Sequence, residues 1–331
     1  MKYTTKYTLP LIRHVCVRGI EFDRFRRSED NESANLVSVL SKLPNLQSFG
    51  WDADVKQFAT CLPSTEFKLC CEKMEEIAIT VSRNCPRLTT FGLISLPVKM
   101  GFLLNFKALQ VLHITGYGRT SPETFGRILK QLKLLETVIV EDSIAMHYLF
   151  EKQTFGVPTY TSFTSDAIFE LKGLKHLSLV AEDNAGFEAT FMTPEIIDAI
   201  STSNLTLKSL RLHFRECKWP AGVLESTMAL LDQYECLEEA DICFGLGPPA
   251  PMGPPGQTWL PNLLDSYQLD ATKYKVQLKE LPTQPYPRAI EVNIETRKSC
   301  SREMGANKSG YTKPQQHPEN KNWWISYQVG K

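Results

Sequence analysis

Apolar residues recur along this chain in one asymmetric spacing. In LKGLKHLSL, Leu171, Leu174, Leu177 and Leu179 stand at offsets 0, 3, 6 and 8, with mostly polar residues between them. The same template fits Leu9, Ile12, Val15 and Val17, then Leu43, Leu46, Phe49 and Trp51, then Cys85, Leu88, Phe91 and Leu93. It fits again at Phe106, Leu109, Leu112 and Ile114, and at Leu132, Leu135, Val138 and Val140. NLTLKSLRL and YECLEEADI match more loosely, ending at Leu210/Leu212 and Ala240/Ile242, and YPRAIEVNI brings the pattern back with Tyr286, Ala289, Val292 and Ile294. The last two anchors of each unit are two residues apart, which predicts one face of a strand. The first two predict the turn that leads into it. One such unit cannot bury its apolar side alone, whereas stacked copies can, with their strands forming a parallel sheet.

Between the strands the apolar period changes from 2 to about 3.6. Ser121-Pro-Glu and Thr193-Pro-Glu read as helix starts, a hydroxyl cap followed by proline at the first helical position and then an acid. Phe125, Ile128, Leu129 and Leu132 share one helical face after the first, and Ile196, Ile197 and Ile200 share one after the second. Val223, Leu224, Met228 and Leu231 make another stripe, and 34–43 supplies a further helix. CEKMEEIAI (71–79) also fits the template, but Met74, Ile77, Ala78 and Val81 follow helical spacing. The next unit starts only 14 residues later, too soon for a strand and a return helix, so this segment is predicted to be a helix.

With these motifs the chain resembles the leucine-rich repeat family over residues 9–245, and more narrowly the irregular, helix-containing repeats of fungal F-box proteins. LPNLQSF and CPRL, each following a helix, carry the narrower resemblance. It implies an α/β leucine-rich repeat solenoid, a horseshoe with a parallel concave sheet and convex helices. It also implies a protein target on the concave face, with the ubiquitin-ligase adaptor and cullin as further partners. Two features depart from the family. The Asn or Cys that usually follows the strand is missing, and Tyr117, Ser143, Glu182 and Arg215 stand in its place. Only eight residues precede the first repeat, where the family carries a helical F-box, so either the box is absent or the sequence is an incomplete gene product.

Residues flanking the buried strand anchors should point to the concave side. The candidate partner-binding residues there are His113, Thr115, Glu141, His176, Ser178, Arg211, His213, Glu239 and Asp241. His14, Cys16, Gly50, Ile139, Glu291, Asn293 and Glu295 share that face. His113 and His176 are a whole repeat apart, which excludes a shared metal ion, while His176 and His213 fall on neighbouring rungs. Acids follow Arg211 and His213 along the face, so its C-terminal half should favour a basic segment of a partner.

Composition narrows the function. Lys plus Arg equals Asp plus Glu at 37 each, so the chain lacks the basic footprint of a nucleic-acid binder. No segment approaches the roughly 18 apolar residues of a membrane span, and the first residues lack a secretory pattern. The nine cysteines are scattered, mostly within apolar-periodic segments, and read as reduced core thiols of a cytoplasmic or nuclear protein. Phosphate-loop, nucleophile-elbow, dinucleotide and zinc signatures are all missing from the sequence, so no cofactor, metal or catalytic residue is assigned.

The predicted organisation is a repeat solenoid over 1–245, a Pro/Gly-rich loop over 246–258, terminal strands capping the solenoid over 259–297, and a polar, partly disordered tail over 298–331. Trp323 and Trp324 in that tail are expected to fold back onto apolar surface. The longest interval between units carries Met146, His147, Tyr148, Phe150, Phe155, Tyr160 and Phe163, expected to pack the convex side. The function predicted is a non-catalytic interaction scaffold, the target-binding part of an F-box-type ubiquitin ligase subunit. The alternatives are an enzyme with its site in the 141–165 insertion or the tail, and a structural assembly protein.

Overall fold

The structure is a computed structural model. It describes residues 11–18, 31–52, 64–94, 98–115, 120–143, 168–182, 194–203, 206–214, 222–234, 236–244, 274–280 and 290–296. The proline-rich loop, the tail and the aromatic-rich interval 144–167 lie outside these residues, and so do the expectations placed on them.

The first two anchors of a unit form a tight turn. The Leu46 N–H donates to the Leu43 carbonyl, Leu88 to Cys85, Leu135 to Leu132, Leu174 to Leu171 and Leu237 to Tyr234. That i to i+3 closure turns both anchor side chains inward before the chain extends. The extended segments follow at once as β1 (His14–Arg18), β2 (Ser48–Asp52), β3 (Thr90–Ile94), β4 (Val111–Thr115) and β5 (Thr137–Ser143). Then come β6 (His176–Glu182), β7 (Ser209–Phe214) and β8 (Glu239–Phe244).

These eight strands pair parallel in chain order within a ten-stranded sheet. The turns stack as well. The Arg13 carbonyl accepts two bonds from the next unit, from the N–H groups of Gln47 and Ser48 at 2.7 and 3.0 Å. The carbonyls of Gln47, Thr89, Gln110, Glu136, Lys175 and Lys208 repeat the arrangement.

Helices α1 (Asn31–Leu40), α2 (Ser64–Asn84), α3 (Pro122–Gln131), α4 (Pro194–Ser203) and α5 (Val223–Gln233) lie in the returns, with a 3₁₀ helix at Met100–Asn105 between β3 and β4. Segment 71–79 is helical, inside α2, as its spacing predicts. Ser121 caps α3, its hydroxyl accepting from the Thr124 N–H, with Pro122 at the first position. Helix α1 ends at Leu40, because Leu43 already belongs to the following turn.

Connections in a parallel sheet are right-handed, so with a strand order that never reverses the described return helices fall on one face. Phe49, Phe91, Leu112, Val138, Leu177 and Leu210 are buried on that face together with α2, α3, α4 and α5 side chains, in one apolar core running from Leu40 to Ile294. The other face carries the alternate strand residues.

At the far end, Tyr286 and Ala289 of the expected return of the repeat lie outside the described residues, and Val292 and Ile294 lie on an antiparallel strand. β10 (Ile290–Thr296) joins β8 antiparallel, and β9 (Tyr274–Glu280) joins β10 antiparallel. Alternation with period 2 has no direction, so the spacing alone could not distinguish this hairpin from another parallel rung. Among the described residues no helix is long and apolar enough to cross a membrane.

Candidate functional site

On the helix-free face, register determines which side chains meet. Leu112 pairs with Val138 and Leu177 with Leu210, so strand positions align in rows perpendicular to the chain. One row reads Cys16, Gly50, Gly92, His113, Ile139, Ser178, Arg211 and Asp241 from β1 to β8. A second, two residues further on, contains Thr115, Glu141, Val180, His213 and Cys243.

Five of the predicted residues form two linked polar groups on these rows. His113 is buried, 8 % exposed. Its Nε2 lies 3.0 Å from Glu141 Oε1, one strand over. The approach is out of line for a hydrogen bond, so the enclosed Nε2 lacks a directed partner and the contact is electrostatic. Burial pushes the Glu141 carboxyl up. The His113 contact and charge, with the Arg211 charge, outweigh that and hold it below the ordinary glutamate value of 4.5.

The second group joins β7 to β8. His213 Nε2 sits 2.7 Å from Asp241 Oδ1, and Arg211 Nε sits 3.4 Å from Oδ2 of the same carboxylate. Arg211 Nη2 lies 3.3 Å from His213 Nδ1. Guanidinium can only donate, so Nδ1 accepts and the proton rests on Nε2, which donates to Asp241. Between the two groups stands Ser178 on β6, short enough to leave the long Arg211 side chain acting on both Glu141 and Asp241.

His176 and Glu239 are not gathered here, while Thr115 lies opposite Glu141. His176 pairs with Ser209 and Val180 with His213, so the two histidines sit on adjacent strands but four residues apart along them, about 13 Å. Glu239 starts β8, opposite Ser209. Thr115 pairs with Glu141 at the end of β4. The register places the acids of the C-terminal half as follows. Asp241 is engaged by Arg211 and His213, and β9 sets Lys275 opposite Glu295 and Lys279 opposite Glu291. The register also sets Glu295 opposite Asp241.

The N-terminal half of the face holds a recess lined by His14, Cys16, Ser48, Gly50, Thr90, Gly92 and His113, with backbone or edges of Val15, Phe49 and Phe91. Ser48, Thr90 and Gly92 are not among the residues singled out from the sequence. Their signal was present all the same: SFGW and TFGL put glycine at the same place in two successive units.

Among the described residues no group of three or more His, Cys, Asp or Glu could hold a metal ion. A scan against protein-family models finds no match, and a search of curated proteins finds none either.

Proposed function

We propose that this chain is a non-catalytic interaction scaffold of the cytoplasm or nucleus, an irregular leucine-rich repeat solenoid whose open sheet face binds a protein target. In its most specific form it is the target-binding part of an F-box-type ubiquitin ligase subunit. The observation that carries the reading is the run of eight parallel strands in chain order, with the described return helices confined to one face. The face away from those helices presents alternating side chains at fixed spacing.

Two features support the repeat assignment. The carbonyl ladder at the turns recurs at the same place in every unit although the intervals vary. Strands repeat about every 4.8 Å while helices are about 10 Å wide, so helices on one face force the sheet to curve with its open face inward. The thinner 3₁₀ helix at Met100–Asn105 relieves that crowding in the shortest unit. The ligase assignment rests on the sequence resemblance alone.

The test is quantitative affinity purification from the native cells, comparing the wild type with a variant carrying Arg211→Glu, Glu239→Lys and Asp241→Lys. A protein recovered with the wild type and lost with the folded variant supports the scaffold reading. An identical set of proteins from both overturns it. Recovery of adaptor and cullin with either form supports the ligase assignment, and their absence from both removes it.

A further inference from the structure

The turns that precede the strands carry charge in a pattern that folding does not require. Each turn has two residues between its first and second anchors, and the carbonyl ladder keeps these places in register from unit to unit. Lys107, Lys133 and Lys172 stand at the first place, in the turns before β4, β5 and β6, and Arg87 stands at the second place in the turn before β3. All four side chains are exposed. Neighbouring strands are about 4.8 Å apart, so four cations on successive rungs line about 14 Å of one rim. Like charges held that close repel one another.

Other cations near this rim are matched by acids. Lys130 Nζ lies 3.4 Å from Glu170, Lys175 Nζ 2.6 Å from Glu136 and Lys208 Nζ 3.2 Å from Glu238. Among the described residues the four rim cations have no carboxylate partner, and Lys107 donates instead to the Leu104 carbonyl at 2.8 Å. Glu136 and Glu170, on the rungs of Lys133 and Lys172, are already engaged. The whole chain has no net charge, so the excess is local. Apolar side chains stand among these cations. Leu134, 53 % exposed, follows Lys133 in the same turn, and Phe169, 45 % exposed, lies just before the turn of Lys172. On the rungs to either side the place of Leu134 is held by Ala108 and Gly173. A Cβ on Gly173 would meet nothing nearer than the Leu135 carbonyl oxygen at 4.0 Å, so the leucine projects between two low neighbours.

We propose that this rim, at the turns before β3 to β6, binds an acidic polypeptide segment that carries a large apolar side chain. Carboxylates of the segment take the places that Glu136, Glu170 and Glu238 take for the matched lysines. Its apolar side chain packs against Leu134, over the low rungs of Ala108 and Gly173. A phosphate backbone would use the cations and leave that leucine in water, so the apolar content selects a polypeptide over a nucleic acid. The rim is a different surface from the open sheet face and goes beyond the reading of that face.

Fluorescence anisotropy with the full chain tests this. The probe is a short fluorescein-labelled peptide of alternating glutamate and leucine. The comparisons are a lysine–leucine peptide, a glutamate–serine peptide and an oligothymidine of equal charge. Saturable binding of the glutamate–leucine peptide is expected, with no binding of the lysine–leucine peptide and weaker binding of the other two. Lys172→Glu should weaken the glutamate–leucine peptide about tenfold, and Lys133→Glu repeats the test on the neighbouring rung. Lys99→Glu, the same charge change at an exposed lysine on the return between β3 and β4, should stay within about twofold of wild type. Leu134→Ala should weaken the glutamate–leucine peptide several-fold and leave the glutamate–serine peptide unchanged. Circular dichroism checks that each variant is folded. No saturable binding, an equal loss in Lys99→Glu, equal affinity for the leucine and serine peptides, or an oligothymidine bound as tightly as the glutamate–leucine peptide overturns the proposal. Such a failure leaves the co-purification test standing, because that test reads Arg211, Glu239 and Asp241 on the sheet face.

Discussion

Replacing Phe91 by alanine tests the stacked-unit architecture at its most packed point. Phe91 is fully buried, and its ring lies 5.9 Å from that of Phe49, 5.3 Å from Phe102 and 5.2 Å from Phe106. Buried Phe→Ala changes cost about 3–5 kcal/mol. Aromatic pairs add about 0.5–1.5 kcal/mol each beyond area burial. Three such pairs place this site at the upper end, about 4–5 kcal/mol, a large share of the roughly 5–15 kcal/mol that holds a domain together. Urea denaturation followed by circular dichroism gives the total, with Leu134→Ala, at an exposed turn residue, as a control expected within about 0.5 kcal/mol of wild type. Native-state hydrogen exchange gives the location. Each unit touches only its neighbours, so protection should fall most in β2, β3 and β4 and least in β7 and β8. A loss under about 2 kcal/mol would refute the packing argument. An equal loss of protection in every strand would refute the stacked-unit argument.

Other consequences are testable in the same preparations. Glu141 is held below its ordinary value, so its carboxylate stabilises the fold above about pH 4.5 and that contribution is lost as pH falls through the lower folded value. The stability gap between wild type and Glu141→Gln should therefore narrow on acidification from pH 7 to pH 3, and a gap constant with pH would contradict the assignment. The buried Tyr234 hydroxyl donates to the Ile200 carbonyl at 2.6 Å, tying α5 to α4. Tyr234→Phe should cost about 1–2 kcal/mol in urea denaturation by leaving that carbonyl unsatisfied. Burial pushes the Cys85 thiol up to about 11, so mass spectrometry after iodoacetamide treatment at pH 8 should find it unmodified in the native protein and alkylated only after denaturation.

Much of the architecture was legible because the template has a direct physical cause. Leu43, Leu46, Phe49 and Trp51 recur as a set, and all four are buried, as are Cys85, Leu88, Phe91 and Leu93. The turn closes over the first pair and the strand buries the second. What stayed hidden depends on register and direction between units. His176 and His213 look adjacent when strands are counted and lie four residues apart once Val180 is seen to pair with His213. The hairpin of β9 and β10 alternates like any half-exposed strand, and nothing in the alternation says that β10 runs against β8. Glu141 could be placed on the open face, but its link to His113 needed the diagonal geometry between two strands.

The same separation of constraints explains how repeats of such unequal length stack. The carbonyls at 13, 47, 89, 110, 136, 175, 208 and the rung at 238 are separated by 21 to 42 residues, yet each of the seven carbonyls makes the same two bonds to the next rung. Only the turn and strand must match from rung to rung, while the return path can lengthen at an entropic cost that grows slowly with its length. Side-chain pairs such as Lys175–Glu136 at 2.6 Å and Lys208–Glu238 at 3.2 Å lie along the same turn line and tie neighbouring rungs together without an asparagine or cysteine following the strand. Both pairs are substantially exposed, so the backbone ladder and the buried anchors carry most of the stacking. The anchors in turn accept Leu, Phe, Cys, Trp, Val, Ile, Tyr or Ala, because the core asks for apolar volume at a position and little else. Residues between the last two anchors face away from that core, and packing on the helical side does not choose them.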